Sequence, residues 1–350
     1  MLQVACHGEF YFLNNYSFTY HCVTELQTIA IMKKISLLVF FTFSFSVAIF
    51  AQTITAPTYA ERANKLLFTF QKDTLQVLHL PFNDSLRTHW ERLPGQRLGL
   101  KLSHFTEAQK IALHELLRSC LSTQGYLTVT AVMFNEDIQQ KFEPNLGRNE
   151  YWVEVFGNPS SNDFWSWKLE GHHLSLNFTF QGNKMISNSP YLMSSNPSNS
   201  ITDSARAGLV ILYKEEEMGR QLVNSLTPEQ LLKGYNSRKK TAIVYSEQDK
   251  NNISVPDEGI YFSELNKDQQ SLLKQLVTEY FNNFNTGEVS SVDAFCNKKL
   301  RFFYVDSREK GKPHYYRFEN GSQIIEYENY DNHIHCFWRT NNDFGKAIVK

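Results

Sequence analysis

The sequence predicts an α+β fold: a single domain with an antiparallel sheet, made of hairpins and a C-terminal meander, packed by several helices. Three observations carry this. Apolar residues recur at helical spacing in several separate blocks. Between 151 and 180 the pattern changes to alternation around a turn cluster, and from 315 to 339 three short alternating runs follow one another. Helical blocks thus neighbour hairpins rather than single strands, which favours an antiparallel over a parallel sheet.

The first fifty residues stand apart. Met32-Lys33-Lys34 precedes an apolar run from Ile35 to Phe50, and Ala51-Gln52 follows. A short positive region, an apolar run too short to span a membrane comfortably and a small residue at the end make a secretory signal peptide over 32–51. Residues 1–31 are then an upstream extension from a mis-chosen start. The folded domain is expected over 52–350, secreted or periplasmic, with no integral membrane span once the signal is removed.

Tyr59 to Phe70 carries apolar residues at helical spacing, and the pattern extends to Leu80 before Pro81. A second helix begins near Thr106, with Ile111, Leu113, Leu116, Leu117 and Leu121 as its stripe and Gly125 as its stop. Leu127 to Phe134 suits a strand or a helix. Tyr151 to Phe156 and Trp165 to Phe180 predict a hairpin around Gly157-Asn158-Pro159. Pro190 to Ser204 reads as a Ser/Asn/Pro loop, and Asp203 to Leu226 as a third long helix. Thr227-Pro228 is a cap followed by proline at the first helical position. Ser263 or Asn266 starts a further helix that stops near Gly287. Tyr315–Phe318, Gln323–Tyr327 and His333–Arg339 are the meander strands, with Asn320-Gly321 as a hairpin turn.

Lys and Arg number 35 against 36 acidic residues, and removing 1–51 takes two of each sign, so the net charge stays at −1. Such a chain has no electrostatic footprint for nucleic acid or an anionic membrane. Cys120, Cys296 and Cys336 remain, an odd number that suits buried free thiols better than a disulfide framework.

The chemistry lies in two histidine groups: Gly171-His172-His173 and Asn332-His333-Ile334-His335. On a strand alternate residues share a face, so His333 and His335 point together with Arg339, while His172 and His173 oppose each other unless Gly171 breaks the strand. Two imidazoles at i and i+2 can hold one metal ion if other groups complete the set. His173, Glu170, Glu326 and Asp343 are the candidate completers. A satisfied hydrogen-bonding role for these histidines remains the plainer alternative on spacing alone.

Arg148 to Pro159, Trp165 to Thr179, Glu215 to Leu222, and the blocks Tyr316-Arg317-Phe318, Ile325-Glu326-Tyr327, Asn332 to His335, Trp338-Arg339 and Asp343-Phe344-Gly345 resemble a bacterial family designated domain of unknown function 3500. The resemblance covers most of 60–349. It implies that the two histidine blocks belong to one pattern, and it agrees with secretion. It carries no residue roles. The sequence departs from it in the Ser/Asn-rich segment after Pro190 and in ending soon after Gly345.

The first functional expectation is a secreted metal-dependent enzyme, a hydrolase. His173, His333 and His335 would bind a divalent transition metal, zinc by default, with copper or iron suiting an all-imidazole set. His172 would orient a ligand, Glu170 or Glu326 would serve as ligand or base, and Arg339 or Arg317 would stabilise an oxyanion. The second is a non-catalytic extracellular binding protein whose cleft is formed by histidines with Trp165 and Trp167 as its platform. A third is a metal-free acid–base enzyme using His173 and His335.

Overall fold

Thr58 opens the described chain with a reciprocal cap. Its hydroxyl accepts from the Glu61 amide while the Glu61 carboxylate accepts from its own amide. The computed structural model describes residues 57–349, apart from residue 92 and segments 201–202, 238–243, 247–253 and 286–290. The signal and upstream segments expected over 1–51 lie outside the described residues.

The helix expected to run toward Leu80 is divided. α1 (Tyr59–Leu67) ends, α2 (Lys72–Leu78) follows, and His79–Leu80 is already strand β1, paired parallel to β3 (Tyr151–Gly157). β2 (Leu100–Lys101) pairs with β3 on the same side. α3 (Glu107–Cys120) is capped by Thr106 and Gln109 and buries Leu113, Leu116 and Leu117 as expected, but Ile111 is exposed.

Gly125 does not stop that helix. α3 ends at Cys120, and α4 (Thr123–Gln140) starts at once under a Ser122 cap. A Cβ on Gly125 would lie 1.9 Å from the Asn283 carbonyl oxygen, so the glycine permits close packing inside the first turn. The ambiguous stretch from Leu127 to Phe134 is therefore helical, with Val129, Val132 and Met133 on its buried side.

The expected long strand from Trp165 to Phe180 is a hairpin of two: β4 (Phe164–Gly171) and β5 (Leu174–Gln181), joined by His172-His173. β6 (Lys184–Ser187) adds to β5. The Ser/Asn/Pro segment contains a strand, β7 (Tyr191–Ser195), which pairs with β5 on one side and with β13 (Ile334–Thr340) on the other. Its polar composition hid a central strand whose Tyr191 and Met193 alternate into the core.

The third long helix is shorter than its pattern. Gly208, at φ +86°, and turns over 204–208 precede α5 (Tyr213–Asn224). α6 (Pro228–Gly234) has the expected Thr227 cap and N-terminal proline, and β8 (Tyr235–Asn236) and β9 (Ile260–Tyr261) follow. α7 (Lys267–Phe281) starts from Asn266 rather than Ser263 and stops before Gly287, and the short α8 spans Val292–Phe295.

β10 (Arg301–Asp306) leads into the expected meander of β11 (His314–Glu319), β12 (Gln323–Asn329) and β13. Thirteen strands among the described residues form one mostly antiparallel sheet, whose main path is β1-β3-β4-β5-β7-β13-β12-β11-β10-β8. The α+β expectation holds.

The two sheet faces differ. One carries Trp165, Trp167, Leu176, Phe178, Met193, Trp338, Tyr327 and Phe318, all in the main apolar core. Helices cover it: Phe281 of α7 stacks on Trp338 at 4.6 Å, and Tyr59 of α1 packs on Phe180 at 5.0 Å. The other carries Glu154, Lys168, Glu170, Ser175, Asn177, His335, Arg339, Glu326 and Arg317. Residues Leu86, His89, Trp90 and Tyr245 contact it: Lys168 Nζ donates to the Leu86 and His89 carbonyls, Tyr245 N donates to Glu326, and Trp90 meets Phe337 edge-on. Cys120, Cys296 and Cys336 are buried and unbridged, as expected.

Candidate metal centre

The tip of the β4–β5 hairpin resolves the parity problem of His172 and His173. Neither lies within a strand, so neither is held to strand alternation. Their rings stack with centroids 3.7 Å apart, and both face one carboxylate. His172 Nδ1 is 2.8 Å from Glu136 Oε1, and His173 Nδ1 is 2.6 Å from Glu136 Oε2. Gly171 allows the tip: a Cβ there would lie 2.3 Å from the Tyr151 ring.

Glu136 comes from the last turns of α4 and is 2% exposed. Burial opposes its charge, but hydrogen bonds and attraction from the two imidazoles outweigh it, and the carboxyl is held at about 2. The Tyr151 hydroxyl lies 3.5 Å away as a weak third neighbour.

From the other side come His333, just ahead of β13, and His335 within it. Their rings lie 4.4 Å apart, on a common side as strand parity predicts. His335 Nδ1 is 3.3 Å from Glu328 Oε2 on β12, without hydrogen-bond alignment. The two histidine groups meet where His173 Nε2 lies 3.3 Å from His333 Nε2. Burial drives the His173 imidazole down to about 4 despite Glu136. Burial, then repulsion from His335 and His173, takes His333 to about 3. Both rings are neutral near pH 7, the form that ligates metal.

Their tautomers follow from the partners. Glu136 is an acceptor at neutral pH, so His173 uses Nδ1–H to donate to it and turns the Nε2 lone pair toward His333. Two ring nitrogens at that separation need a proton or a cation between them. Glu136, His172 and His173 also offer ligand atoms within 4.8 Å of one another, so this buried group could hold a metal ion.

The structure therefore brings His172, His173, His333 and His335 together. Other sequence candidates have separate partners. Glu170 is 3.3 Å from Lys168 and accepts from Ser175. Glu326 accepts from the Tyr315 hydroxyl at 2.6 Å. Arg317 donates to the Glu258 carbonyl at 3.2 Å and lies over the Phe303 ring. Arg339 and Asp343 pair with each other at 2.5 Å. Trp165 and Trp167 are at most 1% exposed within the core, so they form no ligand platform. Glu136 went unpredicted. Its signal was helical spacing: Val129, Val132 and Glu136 share one buried stripe, which puts a carboxylate where an apolar residue belongs.

A family model described as Protein of unknown function (DUF3500) matches residues 52–346. The chain belongs to this family. Among curated proteins and solved structures, no match to the chain was found. The DUF3500 match spans the whole histidine centre, from Glu136 to His335. Among the described residues, no helix is long and apolar enough to cross a membrane.

Proposed function

We propose that this DUF3500 chain is a metal-dependent hydrolase, secreted or periplasmic, built on the four-histidine centre. The observation that carries the reading is the placement of His173 between Glu136 and His333. A carboxylate on one ring nitrogen fixes the tautomer and raises the basicity of the other, the arrangement that supports metal-bound histidines. Two nitrogens bound to one tetrahedral ion at about 2.0–2.1 Å lie roughly 3.3–3.4 Å apart. His173 Nε2 and His333 Nε2 are 3.3 Å apart. His335 and His172 flank this pair and are the candidates to complete the set.

In this reading Glu136 is a positioning residue, holding His172 and His173 by their Nδ1 atoms. A zinc, copper or iron ion bound there would supply Lewis acidity and activate a water for attack. Glu328, beside His335, is the carboxylate placed to orient that ring or take a proton. The roles read from the sequence for Glu326, Arg317 and Arg339 are not carried forward, because their hydrogen bonds run to Tyr315, to the Glu258 carbonyl and to Asp343 rather than to the histidines. The start of the family match at residue 52, directly after the 32–51 segment, supports export of the domain.

The test is elemental analysis of the purified full chain beside a His333→Ala/His335→Ala double variant. The expected result is about one transition-metal ion per chain, lost in the variant while the circular dichroism spectrum is retained, followed by chelator-sensitive activity in a hydrolase screen. Folded protein that takes up no zinc, copper or iron would overturn the reading.

A further inference from the structure

Asn188 directly follows β6, and its side chain is 1% exposed. Neither its amide nitrogen nor its amide oxygen has a hydrogen-bond partner. Among the described residues it is the only side-chain amide left unpaired at both atoms. A buried donor or acceptor without a partner costs more than a made hydrogen bond gains, so folded proteins rarely keep one that nothing serves. The backbone around Asn188 is pinned on both sides. Ser187 pairs with Thr179 of β5, and the Ser189 carbonyl accepts from the Phe344 amide at 2.7 Å.

This amide lines a cavity of about 200 Å³ at the end of β13 away from His333. The other walls are already braced. Ser187 Oγ donates to the Asn342 carbonyl at 2.9 Å. Asn342 donates from Nδ2 to the Ile186 carbonyl at 2.9 Å, and its Oδ1 accepts from the Ala347 amide at 3.0 Å. Thr340 Oγ1 lies 2.8 Å from Ser189 Oγ and accepts from the Asn342 amide at 3.0 Å. Trp338 donates its indole N–H to Gln323 at 3.1 Å and so offers only carbon to the cavity. The walls are thus held by the protein itself, while Asn188 keeps a free donor and a free acceptor.

The lining defines what fits. Among the described residues it holds no charged side chain, which suits a neutral ligand. Seven of its nine residues are Ser, Thr, Asn or Gln, which suits a ligand with polar groups on several sides. Ser187 and Ser322 donate their hydroxyl protons within the protein and keep lone pairs with which to accept. Two neighbouring hydroxyls complement Asn188, one accepting from Nδ2 and the other donating to Oδ1. A simple carboxamide would satisfy Asn188 but leave the serine oxygens unmatched. The volume falls below the roughly 300–1,000 Å³ of drug-sized sites, which leaves room for a single ring. Trp338 supplies an apolar wall for the C–H side of such a ring. We propose that this cavity binds one unit of a neutral sugar, with Asn188 bridging two adjacent hydroxyls. The site shares no residue with the histidine centre and does not rest on the hydrolase reading.

The experiment is saturation-transfer NMR and calorimetry on the full chain. Probes are glucose, galactose, mannose and N-acetylglucosamine, with maltose and cellobiose to tell a chain end from a free sugar. Acetate, butylamine and acetamide are the controls. At least one sugar should bind at millimolar concentration, and acetate and butylamine should not. Asn188→Leu, similar in volume and without polar atoms, should weaken sugar binding at least tenfold and leave the thermal midpoint unchanged or higher. Asn341→Trp, at an exposed position of the lining, should block the sugar with Asn188 intact, and decides the matter if Asn188→Leu does not fold. No sugar binding by folded protein at millimolar concentration, sugar binding unchanged in these variants, or tighter binding of acetamide than of every sugar would each overturn the proposal. The His333→Ala/His335→Ala variant should keep sugar binding, so failure of the metal reading is separable from failure of this one.

Discussion

The two faces of the sheet are made by the same strands, yet they are buried by different means. On β4, Trp165, Trp167 and Leu169 enter the apolar core, while Ser166, Lys168 and Glu170 face the opposite layer. The first set is stabilised by area removed from water, about 25 cal/mol per Å². The second is buried only because each charge finds partners, and its net stabilisation is small. Stability therefore concentrates on one face and chemistry on the other. The histidine centre lies at the strand ends, where a helix from the apolar side delivers Glu136 to imidazoles carried by the sheet.

The comparison breaks first at its strongest point. Trp165 stacks on Phe180 at 4.2 Å and donates from Nε1 to the Gly182 carbonyl at 2.9 Å. Trp165→Ala should cost about 3–5 kcal/mol in urea unfolding. A loss below about 1 kcal/mol would mean that the apolar face does not dominate. Lys168→Met comes next: it leaves Glu154 and Glu170 uncompensated and should cost about 3 kcal/mol. Changing the triad together, Glu154→Gln/Lys168→Met/Glu170→Gln, should restore most of that loss. If it does not, the triad contributes more than mutual compensation.

Glu215 sharpens the contrast, being an acid buried on the helical side. Burial raises its carboxyl to about 7 from an ordinary 4.5. The folded state thus favours the protonated form. That contribution is fully present below about 4.5 and is lost as pH rises through about 7. Glu215→Gln should remove this slope and stabilise the protein by about 2–3 kcal/mol at pH 8 relative to wild type. Parallel denaturation curves at pH 4.5 and 8 decide it. Glu136→Gln should lower metal affinity about 10- to 100-fold, read by competition with a chelator. An unchanged affinity would remove Glu136 from its orienting role. The smallest effect is expected at Ile111, 60% exposed: Ile111→Ser should shift stability by no more than about 0.5 kcal/mol.

How much of this was legible depended on whether local pattern and tertiary partner agreed. The meander was readable because alternation and the Asn320-Gly321 turn point the same way. β7 was not, since Ser194 and Ser195 suit a loop by composition and become strand only between β5 and β13. Among the site residues, His333 and His335 followed from strand parity. His172 and His173 defied it because two residues at a hairpin tip escape the alternation that binds a continuous strand. Glu136 depended on resolving a helix from an ambiguous run, and only then does its place on the buried stripe stand out.

β7 also sets an order of events. It joins strands drawn from residues 151–181 to a strand at 334–340, and the centre spans that seam, with His172 and His173 on one side and His333 and His335 on the other. On the ribosome, the first half can pair with itself long before the last strand emerges. A nascent or prematurely terminated chain lacking residues beyond 330 holds only half of the imidazoles. The centre can assemble only once translation has passed nearly the whole domain, so an incomplete product carries no assembled site.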